Sequence, residues 1–311
     1  MAFHTLLGGN GTIAKELIPI LQAHGHQIRL FSRNPKMIAG TENVSGDVLN
    51  REDVLRAVKG SEIVYLLVGL EYSQKVWQSS WPVIMKNVID ACKTHGAKLV
   101  FFDNVYMYGR VKGRMTETCP FNPCSKKGRI RAEISELLLK EIGSGTLRAL
   151  IARSADFYGP RAKETSVASI LIFDKMKKGK KAQWFVDAEQ PHSFTFTPDA
   201  AQGVYLLATT ETAYGQTWHL PTAAPAPTGK EFVSIAAKYM HARNNIQVLP
   251  KWLIGAMGLF IPIMKELSEM LYQNQYPYDF DSSKFERAFS YQPTSYEEGI
   301  RQTAEWYLNL P

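Results

Sequence analysis

Short apolar runs alternate with stretches whose apolar positions recur at helical period through the first half of the chain. Phe3 to Leu7 predicts a strand, Ile13 to His24 a helix closed by Gly25, and Gln27 to Ser32 a second strand. The same reading gives a helix near Glu52 to Val58, a strand at Ile63 to Val68, a helix from Trp81 to Thr94 and a strand at Lys98 to Asp103. A helix from Pro123 to Ile142 and a strand from Leu147 to Arg153 complete the series. Such alternation demands a parallel sheet with helices on both faces, so the expected fold is α/β, doubly wound and Rossmann-like.

Beyond Pro160 the pattern loosens. Pro221, Pro225 and Pro227 precede a helix from about Lys230 to His241, a short strand at Ile246 to Leu249 and a last helix near Tyr296 to Leu308. The chain is therefore expected to divide into a first domain at 1–160, with returning segments near 183–220, and a smaller mixed C-terminal substrate lobe at 161–182 and 221–311.

Composition changes this picture little: 45% of the 311 residues are hydrophobic and 21% charged, near the globular average. The opening Met1-Ala2-Phe3-His4-Thr5 enters a strand with no basic and apolar leader, and Cys92, Cys119 and Cys124 have neither disulfide nor metal spacing. A reducing cytoplasm without a metal is the expectation. The net charge of +7 gathers partly in the lysines between Lys175 and Lys181. With no nucleic-acid motif beside it, that run reads as a solvated helix end. The apolar stretch Trp252 to Met264 is too short to span a bilayer. It reads as a buried helix or a lid over an apolar substrate, with interfacial membrane contact as the lesser alternative.

Candidate chemistry enters at Leu7-Gly8-Gly9-Asn10-Gly11-Thr12-Ile13-Ala14, between the first strand and the first helix. Gly8, Gly11 and Ala14 have the spacing of a turn that brings backbone and a helix N-terminus to a pyrophosphate. A dinucleotide is the cofactor expected, cradled by Gly8, Asn10, Gly11, Thr12 and Ile13. The second strand ends in Ser32-Arg33-Asn34, with no carboxylate for a ribose 2′-hydroxyl. Arg33 offers a fork suited to a 2′-phosphate, which favours NADP over NAD. Asp47, followed by Val48, is placed to meet the adenine amino group, although a turn aspartate reads nearly as well.

With these residues the chain resembles the extended and atypical short-chain dehydrogenase/reductase superfamily, in its NAD-dependent epimerase/dehydratase-like branch. The resemblance also rests on Val105-Tyr106-Met107-Tyr108-Gly109, Asn122-Pro123, Arg153, Phe157-Tyr158-Gly159-Pro160, Asp199-Ala200-Ala201 and the closing segments from Asp281 and Tyr291. It implies a catalytic Ser or Thr, Tyr and Lys, with the tyrosine four residues before the lysine. Here Asn104 takes the Ser/Thr position, and it can still donate to a carbonyl. The Tyr-x-x-x-Lys region aligns in two registers, giving Cys124 with Gly128 or Ser125 with Arg129, neither of which supplies the pair.

On a helix Cys124 and Lys127 would share a face, which makes Lys127 the candidate for the ribose contact, with Lys126 or Arg129 as alternatives. Period-two alternation would put Asn104, Tyr106 and Tyr108 on one side, with Tyr106 as proton donor and Tyr108 structural. His192 stands where nucleotide-sugar enzymes of the family carry an arginine for the diphosphate. A small or apolar carbonyl or hydroxyl substrate is therefore expected, with Tyr272, Tyr276, Tyr278 and Phe280 as apolar lining or as core. Two functions follow: an NAD(P)-dependent oxidoreductase or epimerase-like enzyme, or a non-catalytic NADP-binding redox sensor. The partner expected is a small-molecule substrate, without nucleic acid or a membrane span; a homodimer stays open.

Overall fold

A computed structural model describes residues 3–310; Met1 and Ala2, part of the opening segment read above as leaderless, and Pro311 lie outside the described residues. Six strands are laid down first: β1 (Phe3–Leu7), β2 (Gln27–Ser32), β3 (Thr41–Ser45), β4 (Ile63–Leu66), β5 (Lys98–Asp103) and β6 (Ala149–Arg153). Between them run α1 (Thr12–Ala23), α2 (Arg51–Val58), α3 (Gln74–His95) and α4 (Lys126–Gly143). Every residue of β4 and β6 is buried, as expected of parallel strands covered on both faces.

The later strands are β7 (Asp156–Tyr158), β8 (Ala182–Phe185), β9 (Phe194–Phe196), β10 (Thr217–His219) and β11 (Ile246–Leu249). With β10 at one edge, the seven-stranded sheet has the order β10-β6-β5-β4-β1-β2-β3. Every neighbouring pair from β6 to β3 is parallel. The chain steps outward from β1 through β2 and β3, then returns to the other side of β1 with β4. That reversal creates a switch point at the carboxyl ends of β1 and β4, where open α/β sheets bind ligands.

Two helix starts differ from expectation. α3 begins at Gln74 and carries Pro82 inside it, because Trp77 and Trp81, one turn apart and both buried, anchor the earlier turn to the core. α4 begins at Lys126, since the Asn122-Pro123-Cys124-Ser125 segment before it is non-helical.

The remaining helices are α5 (Asp174–Lys177), α6 (Thr197–Thr209), α7 (Gly229–Tyr239), α8 (Lys251–Met257), α9 (Pro262–Ser268), α10 (Tyr272–Gln275), α11 (Ser283–Phe289) and α12 (Tyr296–Leu308). The chain divides into two compact units. The first comprises Met1–Met107, Lys126–Arg153 and Ala201–Trp218; the second comprises Tyr108–Ser125, Ser154–Ala200 and His219–Pro311. Within the second, Tyr158, Phe173, Trp184, Phe194 and Phe232 form the centre of an aromatic core.

The Trp252 to Met264 stretch is not a buried helix. It folds as the α8–α9 hairpin, because Gly258 and Pro262 interrupt the run, and only one side of it packs inward. Ile254 is buried with Phe185, Leu249 and Leu271, whereas Leu259 and Phe260 are 81% and 87% exposed. Among the described residues no helix is long and apolar enough to cross a membrane.

Candidate active site

The turn after β1 needs its glycines for two reasons. Gly8 takes φ +94°, a conformation that side chains disfavour, and a Cβ there would meet the Leu67 carbonyl beyond β4 at 3.0 Å. A Cβ on Gly9 would lie 3.0 Å from the Leu30 side chain, so the turn is held close against both neighbouring strands. Gly11 is the N-cap of α1; no side chain caps it, and the first turn carries no acidic residue. Ile13 and Ala14 are buried against the sheet, and Thr12 is 8% exposed. A helix start of this kind, at the switch point, suits an anion such as a pyrophosphate.

Asn10 works on the neighbouring loop. Its Nδ2 donates to the Asn34 carbonyl at 2.7 Å and to Ser32 Oγ at 3.3 Å, while the Lys36 N–H donates to its Oδ1 at 3.1 Å. This pins the segment after β2, where Arg33 is exposed and its carbonyl accepts from Ser45 Oγ at 2.8 Å. Asp47 sits in the turn entering α2: its Oδ1 accepts the Leu49 N–H at 2.9 Å and its own N–H donates to Asp53 at 3.0 Å. Val48 packs on the core, and its carbonyl accepts from Asn87 at 3.1 Å.

At the end of β5 a buried charge cluster fixes everything that follows. Asp103 accepts from Arg131 at 3.2 Å, from Ser135 at 3.1 Å and from the Asn104 N–H at 2.9 Å, with Arg153 Nε at 3.7 Å. Burial pushes the Asp103 carboxyl up and pulls the Arg131 guanidinium down, and their mutual attraction opposes both shifts. The Arg131 guanidinium also lies over Trp77 and Trp81, 4.7 and 4.0 Å from the ring centroids. One carboxylate thereby ties α4 to β5 and β6.

The expected alternation after β5 does not occur. Asn104 Oδ1 accepts the Tyr106 N–H at 3.0 Å, and this cap turns Tyr106–Tyr108 into a 3-10 helix. Tyr106 stacks on Trp77 with centroids 6.2 Å apart, and the Tyr72 hydroxyl donates to its hydroxyl at 3.4 Å. Lys127 is fully buried, with Nζ 4.7 Å from the centroid of Tyr72. Lys127 lies one helical turn before Arg131, so the anchoring of Arg131 aims it inward.

Cys124, by contrast, is exposed and precedes the helix, so it shares no helical face with Lys127. Lys126 and Arg129 are also exposed, which separates them from the buried lysine. Tyr72, Asp103 and Arg131 are the residues that sequence reasoning missed. Counting four positions on from Lys127 would have found Arg131; nothing local marked Tyr72, which lies on a loop after β4.

In the second unit the aromatic candidates are occupied by packing. His192 is buried, hydrogen-bonded through Nε2 to Asp156 at 3.0 Å and stacked on Tyr278 with centroids 4.5 Å apart. Phe280 stacks on His219, whose Nε2 meets the Tyr108 hydroxyl at 3.1 Å. Tyr276 differs, since Arg110 covers its ring beside a shallow cleft that Gly109, Tyr272 and Gln273 also line. Asp199 accepts from Tyr291 and twice from Thr294, at 2.7 to 2.9 Å, which explains why the closing Tyr291 to Thr294 segment accompanies it. Among the described residues no cluster of His, Cys, Asp or Glu could hold a metal ion.

Several known proteins are similar to this chain. A 3-beta-hydroxysteroid dehydrogenase of Mycolicibacterium neoaurum is 24% identical, the match covering 97% of this chain and 90% of the relative. A solved UDP-glucose 4-epimerase of Thermus thermophilus, in complex with NAD, superposes with a TM-score of 0.81 at 18% identity over 100% of both chains. A dTDP-glucose 4,6-dehydratase of Bacillus anthracis, also with NAD, gives 0.82 at 15% identity over 99% of this chain and 97% of that one. The model of the NAD dependent epimerase/dehydratase family matches residues 5–219. The chain belongs to the NAD dependent epimerase/dehydratase family of enzymes.

Proposed function

We infer that this chain is a nicotinamide-dinucleotide-dependent oxidoreductase whose proton is handled by Tyr106, Tyr72 and Lys127 instead of a Tyr-x-x-x-Lys pair. The observation that carries the reading is the run from buried Lys127 over the Tyr72 ring to the Tyr106 hydroxyl. It follows β4, the neighbour of β1 and its glycine turn, and β5, the next strand along the sheet. The cofactor would be held by the Gly8 to Ile13 turn and by the Arg33 and Asp47 loops. When bound it supplies a hydride acceptor or donor.

Tyr106 exchanges a proton with the substrate oxygen, and Tyr72 donates its hydrogen bond to the resulting phenolate. The Lys127 ammonium favours that negative charge. Asn104 spends its Oδ1 on the turn, which leaves its amide N–H groups as the donors it can offer a carbonyl. Arg33 is the reason to favour NADP; the Thermus and Bacillus neighbours are recorded with NAD. The substrate proposed is a small or apolar carbonyl or alcohol, because His192 is committed to Asp156 and lacks an arginine's fork.

Purified protein should oxidise NADPH in the presence of some member of an aldehyde and ketone panel. Tyr106→Phe should slow that turnover at least tenfold, about 1.4 kcal/mol of barrier. Lys127→Met should do the same and move the pH profile. Tight NADPH binding with no turnover across the panel would favour the redox-sensor reading, and unchanged turnover in Tyr106→Phe would remove that residue from the mechanism.

A further inference from the structure

The α8–α9 hairpin shows solvent an apolar tip that the enzyme chemistry does not use. Trp252 is 73% exposed, Leu259 81% and Phe260 87%, with Ile261 and Ile263 beside them at 40% and 44%. Together they offer on the order of several hundred Å² of apolar surface, the scale at which a patch marks an interaction site. A Cβ on Gly258 would lie 3.1 Å from the Lys265 backbone, so the two helices close tightly there. Ile254, Leu253, Met264 and Leu267 hold the inner side onto the lobe.

Two further observations select the occupant. The Leu259, Phe260 and Ile261 N–H groups donate to the Ala256 and Met257 carbonyls at 2.8 to 3.2 Å, and Pro262 has no N–H. These three donors are thus satisfied within the tip, which lowers the cost of moving it from water into the headgroup and acyl boundary. Between Lys251 and Lys265 the sequence contains no acidic residue, the first being the half-buried Glu266 of α9, and both bracketing lysines are exposed. Long cationic side chains flanking an apolar wedge suit headgroup phosphates while the wedge enters the acyl boundary. A second copy of the chain fits less well, because a stable protein interface engages about 20–30 residues a side. A projecting five-residue tip does not provide that.

We propose that the α8–α9 hairpin docks the protein peripherally on an anionic phospholipid surface. Leu259 and Phe260 insert, and Lys251 and Lys265 meet the headgroups. The test is co-sedimentation of the full-length protein with vesicles of phosphatidylglycerol or of phosphatidylcholine. Wild type should sediment with phosphatidylglycerol, lose binding at high salt and bind phosphatidylcholine much less. The double variant Leu259→Ser, Phe260→Ser should weaken binding at least tenfold, and Lys251→Gln with Lys265→Gln several-fold. Unaltered thermal unfolding would show that these surface variants fold.

Wild type remaining in the supernatant with both vesicles would overturn the proposal, as would a double serine variant that sediments like wild type. A protein that is dimeric in lipid-free buffer and becomes monomeric in the double serine variant would assign the face to a second copy and overturn it equally.

Discussion

Lys127 is drawn into the interior by a residue one turn away. Arg131 is held by Asp103 and by two tryptophan faces, so the α4 register is set by a buried ion pair. Residue-scale chemistry of another kind lies in β1, where His4 is buried with Nδ1 2.7 Å from the Tyr65 hydroxyl. Burial first, then His26 and Lys98, pull its pKa from 6.5 down to about 3. Between those values the folded state binds fewer protons than the unfolded one. Stability from this group is present above pH 6.5 and is lost as pH falls toward 3, by up to about 1.4 kcal/mol per pH unit. In a urea-denaturation series from neutral to acid pH, His4→Phe should flatten that slope; an unchanged slope would place the acid lability elsewhere.

At the scale of elements, β1, β2, β4, β5 and β6 were legible because continuous apolar runs leave few other structures, whereas the largely polar β3 and the three-residue β10 carry no such run. β1, β2 and β5 begin and end where the hydrophobic pattern places them. What periodicity misjudged were segments governed by side-chain caps and long-range anchors. The Asn104 cap turns a predicted extended run into a 3-10 helix, and Trp77 extends α3 through Pro82. The glycine turn was readable from its spacing, whereas the Tyr72 to Tyr106 bond joins positions that only strand order brings together.

α12 gives an element-scale test. Gly299 closes the first turn of the helix, and within a helix Ala ordinarily adds about 1 kcal/mol of stability over Gly. Here a Cβ would strike the Tyr158 hydroxyl inside the aromatic core. Gly299→Ala should therefore destabilise by about 1–3 kcal/mol in chemical denaturation. A stabilised variant would mean that the core yields.

For the whole molecule, the parallel sheet gathers the candidate site at the carboxyl ends of its central strands. The glycine turn, the β4 exit loop and the β5 exit turn all follow the carboxyl ends of adjacent strands β1, β4 and β5. A site there follows from topology even where the Tyr-x-x-x-Lys spacing is lost. Dinucleotide binding at the carboxyl ends of these strands is tested most directly by calorimetric titration with NADPH. Wild type should bind one equivalent per chain, and Gly8→Val should bind at least tenfold more weakly, since its side chain would collide with the Leu67 carbonyl and fill the cradle. Absence of NADPH and NADH binding by folded wild type, or full affinity in a folded Gly8→Val variant, would contradict it.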